Sequence, residues 1–163
     1  MRKITVKPGP VTLRRATALD AGATGEILHA FQAETPWMPD LYSSAETISF
    51  CGVMIDRGWV TVAARGRRVL GFSARDGAEL CALYVAASAR GLGVGAALLS
   101  AAKSATPRLR LRTFAANSRA RAFYRRQGFV QTSQGDGSGN AEALPDIAYE
   151  WRAARGILRE AAA

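Results

Sequence analysis

Apolar residues along this chain recur at two spacings. Val11-Thr12-Leu13-Arg14 alternates and reads as a first strand. Asp20 is placed to cap a helix running to about Phe31, with Ile27, Leu28 and Phe31 on one face. Two prolines in Thr35-Pro36-Trp37-Met38-Pro39-Asp40 break that helix. A second helix is predicted from Ser44 to about Ile55, with Glu46 suited to the positive first turn. Three strands follow: Trp59 to Ala63, Val69 to Arg75, and the nearly all-apolar Glu79-Leu80-Cys81-Ala82-Leu83-Tyr84-Val85. Asp76-Gly77 marks a hairpin between the last two. Val94 to Ala105 has the Ala/Leu content and spacing of a helix, which Pro107 ends. Arg108-Leu109-Arg110-Leu111-Arg112-Thr113-Phe114 alternates strictly, so it predicts a strand with one charged face. A short helix from Asn117 or Ser118 runs to about Gln127, with Gly128 as its C-terminal cap. A strand begins at Phe129 to Thr132, Gln134 to Asn140 reads as a loop, and Ile147 to Trp151 is a final strand.

The order is strand, two helices, three strands, helix, strand, helix, two strands. It predicts one α/β domain over residues 11–151, a mixed sheet with helices on both faces. Residues 1–10 read as a lead-in, and 152–163 as a helix-prone tail.

Composition narrows the function classes. With 163 residues there is enough chain for one domain with a sizeable core. The net charge of +9, from 22 Lys and Arg against 13 Asp and Glu, fits either a basic soluble surface or attraction to an anionic partner. The arginines are dispersed, and no recognition-helix or aromatic–basic motif supports nucleic acid as the partner. Cys51 and Cys81 do not make a disulfide scaffold, and with His29 as the only histidine they do not make a zinc site. No apolar run is long enough to span a membrane and the N-terminus lacks a signal-peptide core, so the expectation is a cytoplasmic protein. A homodimer is compatible with the sequence, but no pattern in it calls for one.

The candidate chemistry begins at Arg90-Gly91-Leu92-Gly93-Val94-Gly95, where a strand runs into a helix. Glycines allow close approach to backbone N–H groups, and the first N–H groups of a helix lack partners, so the junction suits a pyrophosphate. Arg90 adds a charge-assisted contact. The P-loop pattern fails, because Gly95 is followed by Ala96-Ala97. The dinucleotide spacing is met in its alanine-ending form by Gly91, Gly93 and Ala96, but the context is wrong. The loop lies mid-chain, and the next strand carries arginines rather than a closing acidic residue.

Two linked blocks resemble the GCN5-related N-acetyltransferase (GNAT) family. The first is Leu83-Tyr84-Val85 with Arg90-Gly91-Leu92-Gly93-Val94-Gly95-Ala96-Ala97-Leu98-Leu99, similar to the family's R/Q-x-x-G-x-G/A loop. The second is Asn117-Ser118-Arg119-Ala120-Arg121-Ala122-Phe123-Tyr124-Arg125-Arg126-Gln127-Gly128-Phe129, similar to its N-x-x-A-x-x-F-Y-x-x-x-G-F block. One departure is Ala87, where the family often has proline. The resemblance implies a mostly antiparallel sheet with a splayed strand pair, and an enzyme that moves an acetyl group from acetyl-CoA to a primary amine in a ternary complex. The alternative is a non-catalytic module that senses acyl-CoA.

The resemblance also assigns roles. The N–H groups of Leu92 to Ala97 hold the coenzyme A pyrophosphate beside Arg90 and Gly91. Leu83 to Val85 hydrogen-bond the pantetheine arm, and the Val85 N–H polarises the acetyl carbonyl. Asn117 contacts the cofactor near that arm, and Tyr124 is the general acid for the leaving thiolate. Glu79 is the candidate base, because burial at the start of an apolar strand would strengthen it as a proton acceptor. Glu142 and Asp146 are rival acids or binders of a cationic acceptor. Trp37, Asp40 and Tyr42 would wall the acceptor site from the proline-broken segment. Arg119, Arg121, Arg125 and Arg126 include candidate contacts for the adenosine phosphate.

Overall fold

The computed structural model describes residues Gly9–Ala154, so most of the lead-in and the tail beyond Ala154 lie outside it. The elements are β1 (Thr12–Arg15), α1 (Ala21–Glu34), α2 (Ser44–Asp56), β2 (Val60–Arg65), β3 (Arg68–Asp76), β4 (Glu79–Val85), α3 (Val94–Ala105), β5 (Arg108–Phe114), α4 (Ser118–Arg126), β6 (Val130–Gly135) and β7 (Asp146–Arg152). This is the predicted order, and β4, α3 and β5 have the predicted bounds. Single 3-10 turns at Ala18–Asp20 and Ala87–Ala89 precede α1 and the glycine loop.

Asp20 stands at the N-cap position of α1, as predicted, but its side chain makes no bond to the helix. Its carboxylate accepts from the Thr17 N–H at 2.7 Å and from both terminal nitrogens of Arg14, at 2.7 and 2.9 Å, tying β1 to the start of α1. The helix α2 starts at Ser44, as predicted, and is capped by Ser43, whose hydroxyl accepts from the Glu46 N–H. Helix α1 also continues one turn past Phe31 and stops at Thr35, immediately before Pro36. That is where the backbone preceding a proline leaves helical geometry.

The strands form one sheet in the order β1-β2-β3-β4-β5-β7-β6. Every neighbouring pair is antiparallel except β4 and β5, which are parallel and share one register pair, Glu79↔Arg110. The cause of their separation lies in β4. Ala74 of β3 faces Ala82 while Arg75 faces Leu80, so Cys81 is an extra residue, a bulge immediately beyond the last contact with β5. A bulge bends its strand and sharpens its twist. β5 meanwhile pairs along its full length with β7, so β4 swings away and leaves a V-shaped opening in the sheet.

The core is divided by the sheet. Phe72, Val62, Met54 and Cys51 pack under α1 and α2 on one face. Leu99, Leu109, Leu111, Phe129 and Tyr149 pack under α3 and α4 on the other. The helices α1 and α2 cross closely at Gly25, where a Cβ would lie 2.5 Å from the Ile48 Cα. Among the described residues, no helix is long and apolar enough to cross a membrane.

Candidate active site

The opening between β4 and β5 encloses about 280 Å³. Its walls carry Leu80 to Tyr84 from β4, Leu111 to Phe114 from β5, Asn117, Ala120 and Tyr124 from α4 and its cap, and Phe31 from α1. The free edge of β4 faces it. The Ala86 N–H donates to the Leu70 carbonyl at 2.8 Å. Successive N–H groups of an antiparallel strand alternate sides, so the N–H of Val85, and that of Leu83 two residues earlier, turns from β3 toward the opening. The Tyr84 carbonyl points the other way, at β3. Its side chain, packed at 5.2 Å from Phe31 and 5.8 Å from Phe72, is what Tyr84 brings to the cleft.

At the far end of β4 the chain turns through Gly91 and Gly93, both at positive φ, with open space where a Cβ would stand. The first helical donor of α3 is the Ala97 N–H, reaching the Gly93 carbonyl at 3.0 Å. The N–H groups from Gly91 to Ala96 therefore have no backbone acceptor among the described residues. That row, at the positive end of a twelve-residue helix, can hold a pyrophosphate. Arg90 stands beside it, 3.5 Å from the Glu34 carboxylate.

Tyr124 projects from α4 onto the cleft wall. It is 8% exposed and held by Phe123, Phe129 and Tyr149. No described residue hydrogen-bonds its hydroxyl, and burial raises its pKa well above the ordinary phenol value. It stays a phenol, a proton donor, throughout the neutral range. Asn117 caps α4, its side-chain oxygen accepting from the Ala120 N–H at 3.1 Å, which leaves its amide N–H groups to face the cleft.

These features have counterparts in known proteins. The family described as acetyltransferase (GNAT) domain matches residues 56–131, which carry both the glycine loop and the Asn117–Phe129 block. Over that stretch the chain is similar to the GNAT acetyltransferase family. It is 36% identical over 93 residues to the peptidyl-lysine N-acetyltransferase YjaB of Escherichia coli K12, a match covering 56% of this chain and 63% of YjaB's length. The fold is similar to that of apo YjaB in solution, with a TM-score of 0.75 at 22% identity over 89% of this chain and 99% of that one. It is also similar to Ard1 from Thermoplasma volcanium (0.70, 19%, covering 89% and 99%) and to yncA from Salmonella typhimurium, solved with acetyl-CoA (0.68, 19%, covering 90% and 96%).

The acidic residues of this domain sit differently from one another. Glu79 is not buried: its side chain is 50% exposed at the hairpin end, 2.7 Å from Arg110, and it is outside the residues lining the cleft. The reason for expecting a strengthened base there is thereby removed. Asp146 does line the cleft, at 14% side-chain exposure, held by Arg112 at 3.1 Å. Glu142 lies near enough to Tyr84 to help burial push that phenol's pKa up to about 12. The charged face of β5 is thus a ladder of matched pairs: Arg108 with Glu150, Arg110 with Glu79, Arg112 with Asp146.

Trp37 packs edge-on against Phe114, 5.7 Å between centroids, which anchors the α1–α2 segment behind a cleft-lining ring. Asp40 and Tyr42 are not among the lining residues. Of the α4 arginines, Arg121 is engaged in the fold, donating to the Ala115 carbonyl and the Tyr149 hydroxyl, while Arg119, Arg125 and Arg126 are exposed. The sequence reading missed Phe31 and Asn140 as cleft residues. Phe31 carried a signal, as the last large apolar residue before the proline break. Asn140 carried none, because it reaches the cleft through a loop stapled by its own bonds with Leu144.

Proposed function

We propose that this chain is an acetyl-CoA-dependent N-acetyltransferase acting on a primary amine. The observation that carries the reading is the combination at one opening: the free edge of β4 with the Val85 N–H turned inward, the unpartnered N–H row from Gly91 to Ala96 at one end, and the Tyr124 hydroxyl on the wall. The residues fit the cofactor. The glycine positions leave space for a pyrophosphate, and the β4 edge offers Leu83 and Val85 to an amide-bearing arm.

Acetyl-CoA supplies an acetyl thioester whose carbonyl carbon is open to attack by a neutral amine. The N–H row and Arg90 fix the phosphate end. The Val85 N–H donates to the acetyl carbonyl oxygen, favouring the charge that develops there during attack. Tyr124 holds a proton for the departing sulfur. A lysine-like amine, with a pKa near ~10.4, arrives protonated and must lose a proton first. Asp146, on the cleft wall, and Glu79, at the hairpin end, are the two carboxylates for that step. Phe31 and Tyr84 on one side and Glu142 on the loop would receive a cationic acceptor, a peptidyl-lysine such as YjaB's name describes being one to test first.

Thermal unfolding with acetyl-CoA should show stabilisation, and a panel of amines including lysine peptides should release thiol in its presence. Absence of any stabilisation by acetyl-CoA or CoA would remove the cofactor reading. Stabilisation without transfer to any amine would favour the sensing module.

A further inference from the structure

A second cavity, about 390 Å³ and larger than the cleft, lies beside the glycine loop. Its floor is apolar, with Ile27 and Ala30 of α1, Val69 of β3 and Val85 of β4. Its rim carries three guanidinium groups, Arg67 and Arg68 from the β2–β3 turn and Arg90 from the loop, with Glu26 the one carboxylate lining it among the described residues. The Arg68 side chain is fixed across the cavity mouth by a 2.7 Å bond to the Ser88 hydroxyl. Among the described residues neither Arg67 nor Arg68 has a carboxylate partner.

The turn is electrostatically frustrated as well. Arg65 stands directly opposite Arg68 in the ladder, a like-charge pair that costs stability. The Arg65 Nε is buried with no hydrogen-bond partner among the described residues. On β5, by contrast, the three arginines each face a carboxylate. Arg67 and Arg68 line the cavity beside the strained Arg65 with no such partner among the described residues. An anion in the cavity would supply the missing charge, and arginine forks bind phosphate in two-pronged fashion.

We propose that Arg67 and Arg68, with Arg90 at its edge, form a second anion site for a phosphate monoester, separate from the pyrophosphate row of α3. Two sources present that group: the 3′-phosphate of a bound coenzyme A, and a free phosphate compound. The first rests on the cofactor reading given above; the second does not. The 3′-phosphate stands one ribose from the pyrophosphate, and Arg90 joins the two regions. With the first as occupant, the site takes the place of the α4 arginines as the contact for the adenosine phosphate.

The test is calorimetric binding of CoA, dephospho-CoA and inorganic phosphate to the wild type, to Arg67→Ala and to Arg67→Ala/Arg68→Ala, with unfolding curves to confirm each variant folds. Charged hydrogen bonds of this kind are worth roughly ten- to a hundredfold in affinity. If the 3′-phosphate is the occupant, wild type binds CoA at least tenfold more tightly than dephospho-CoA, and the double variant loses that difference while binding dephospho-CoA as before. If the phosphate is free, wild type binds inorganic phosphate in the presence of saturating dephospho-CoA and the double variant does not. Equal affinities for CoA and dephospho-CoA, with phosphate binding absent or unchanged by the variants, overturn the proposal. Failure of wild type to bind CoA or dephospho-CoA overturns the cofactor reading instead, and the phosphate titration alone then decides the site.

Discussion

Gly71 shows how the fold sets up the cleft from behind. It lies in β3 directly opposite Val85, and a Cβ there would meet the Tyr84 carbonyl oxygen at 2.8 Å, the Val94 Cγ1 at 3.2 Å and the Val85 Cα at 3.3 Å. The first of these is backbone and cannot rotate away. Gly71→Ala must therefore push the end of β4, the first residue of α3, or both, by several tenths of an ångström. Overpacking of this kind costs about 1–3 kcal/mol. Reduced freedom of the unfolded chain returns about 0.5–1 kcal/mol. The expected net loss is about 1–2 kcal/mol, or roughly 2–8 °C in melting temperature for a domain of this size. Val85 and the start of α3 are two walls of the proposed cofactor site, so acetyl-CoA affinity should fall at a temperature where the variant is still folded. Gly22→Ala is the control: it sits in α1 with nothing near its Cβ, and should stabilise. Urea unfolding and calorimetry with acetyl-CoA measure both. A Gly71→Ala protein as stable as wild type, with unchanged affinity, would refute the account of how β3 supports the β4 edge.

The remaining expectations concern ionisable groups. Tyr124→Phe should lower kcat by about a hundredfold or more, the scale of a general acid, with little change in melting temperature, since no described residue bonds the hydroxyl. Asp20→Asn should cost roughly 2 kcal/mol in urea unfolding, allowing for the partial exposure of Arg14. The Arg14 bonds hold the Asp20 carboxyl below its ordinary value, so its contribution is complete above pH 4 and is lost as pH falls further, a slope Asp20→Asn should lack. Burial raises Tyr84 from 10.0 to about 12, so the folded chain holds a proton the unfolded chain releases; stability should fall by roughly 3 kcal/mol between pH 10 and 12, and Tyr84→Phe should flatten that fall. Asp146→Asn should reduce kcat/KM more than Glu79→Gln across pH 6–8 in amine acetylation, and the reverse ranking would restore Glu79 as the base.

Local pattern carried most of the fold. The strict alternation of Arg108 to Phe114 and the apolar run from Leu80 to Val85 put β5 and β4 at their observed bounds, because period-two burial leaves a direct trace. The glycine loop and Tyr124 were likewise legible, through spacing that matches a family. What escaped was set by tertiary register. The bulge at Cys81 has no local signal, since an extra residue in an apolar strand looks like any other apolar position. Asp20 had the composition of a helix cap, but Arg14, six residues earlier, offered two charged bonds and won the carboxylate. The second cavity joins residues from α1, the β2–β3 turn and the glycine loop, elements that only the folded sheet brings together.

The same register bears on the proton that the acceptor amine must lose. Glu79 begins the strand leading to the proposed acetyl site, but six residues of extended chain span roughly 20 Å, and Val85 is six residues further on. Glu79 also marks the closed end of the V, where β4 still pairs with β5, so the sheet itself stands between it and an amine entering the opening. Asp146 starts β7 opposite Phe114, at the open end of β5, and lines the cleft. Its partner Arg112 comes from a neighbouring strand and is 59% exposed, free to swing aside when a second cation arrives. An acceptor ammonium competing with Arg112 for Asp146 would be bound by the same carboxylate that then takes its proton, directly or through a water. On that geometry we propose that one side chain, Asp146, serves both the choice of acceptor and the first proton transfer, with Glu79 paired to Arg110 at the closed end of the V.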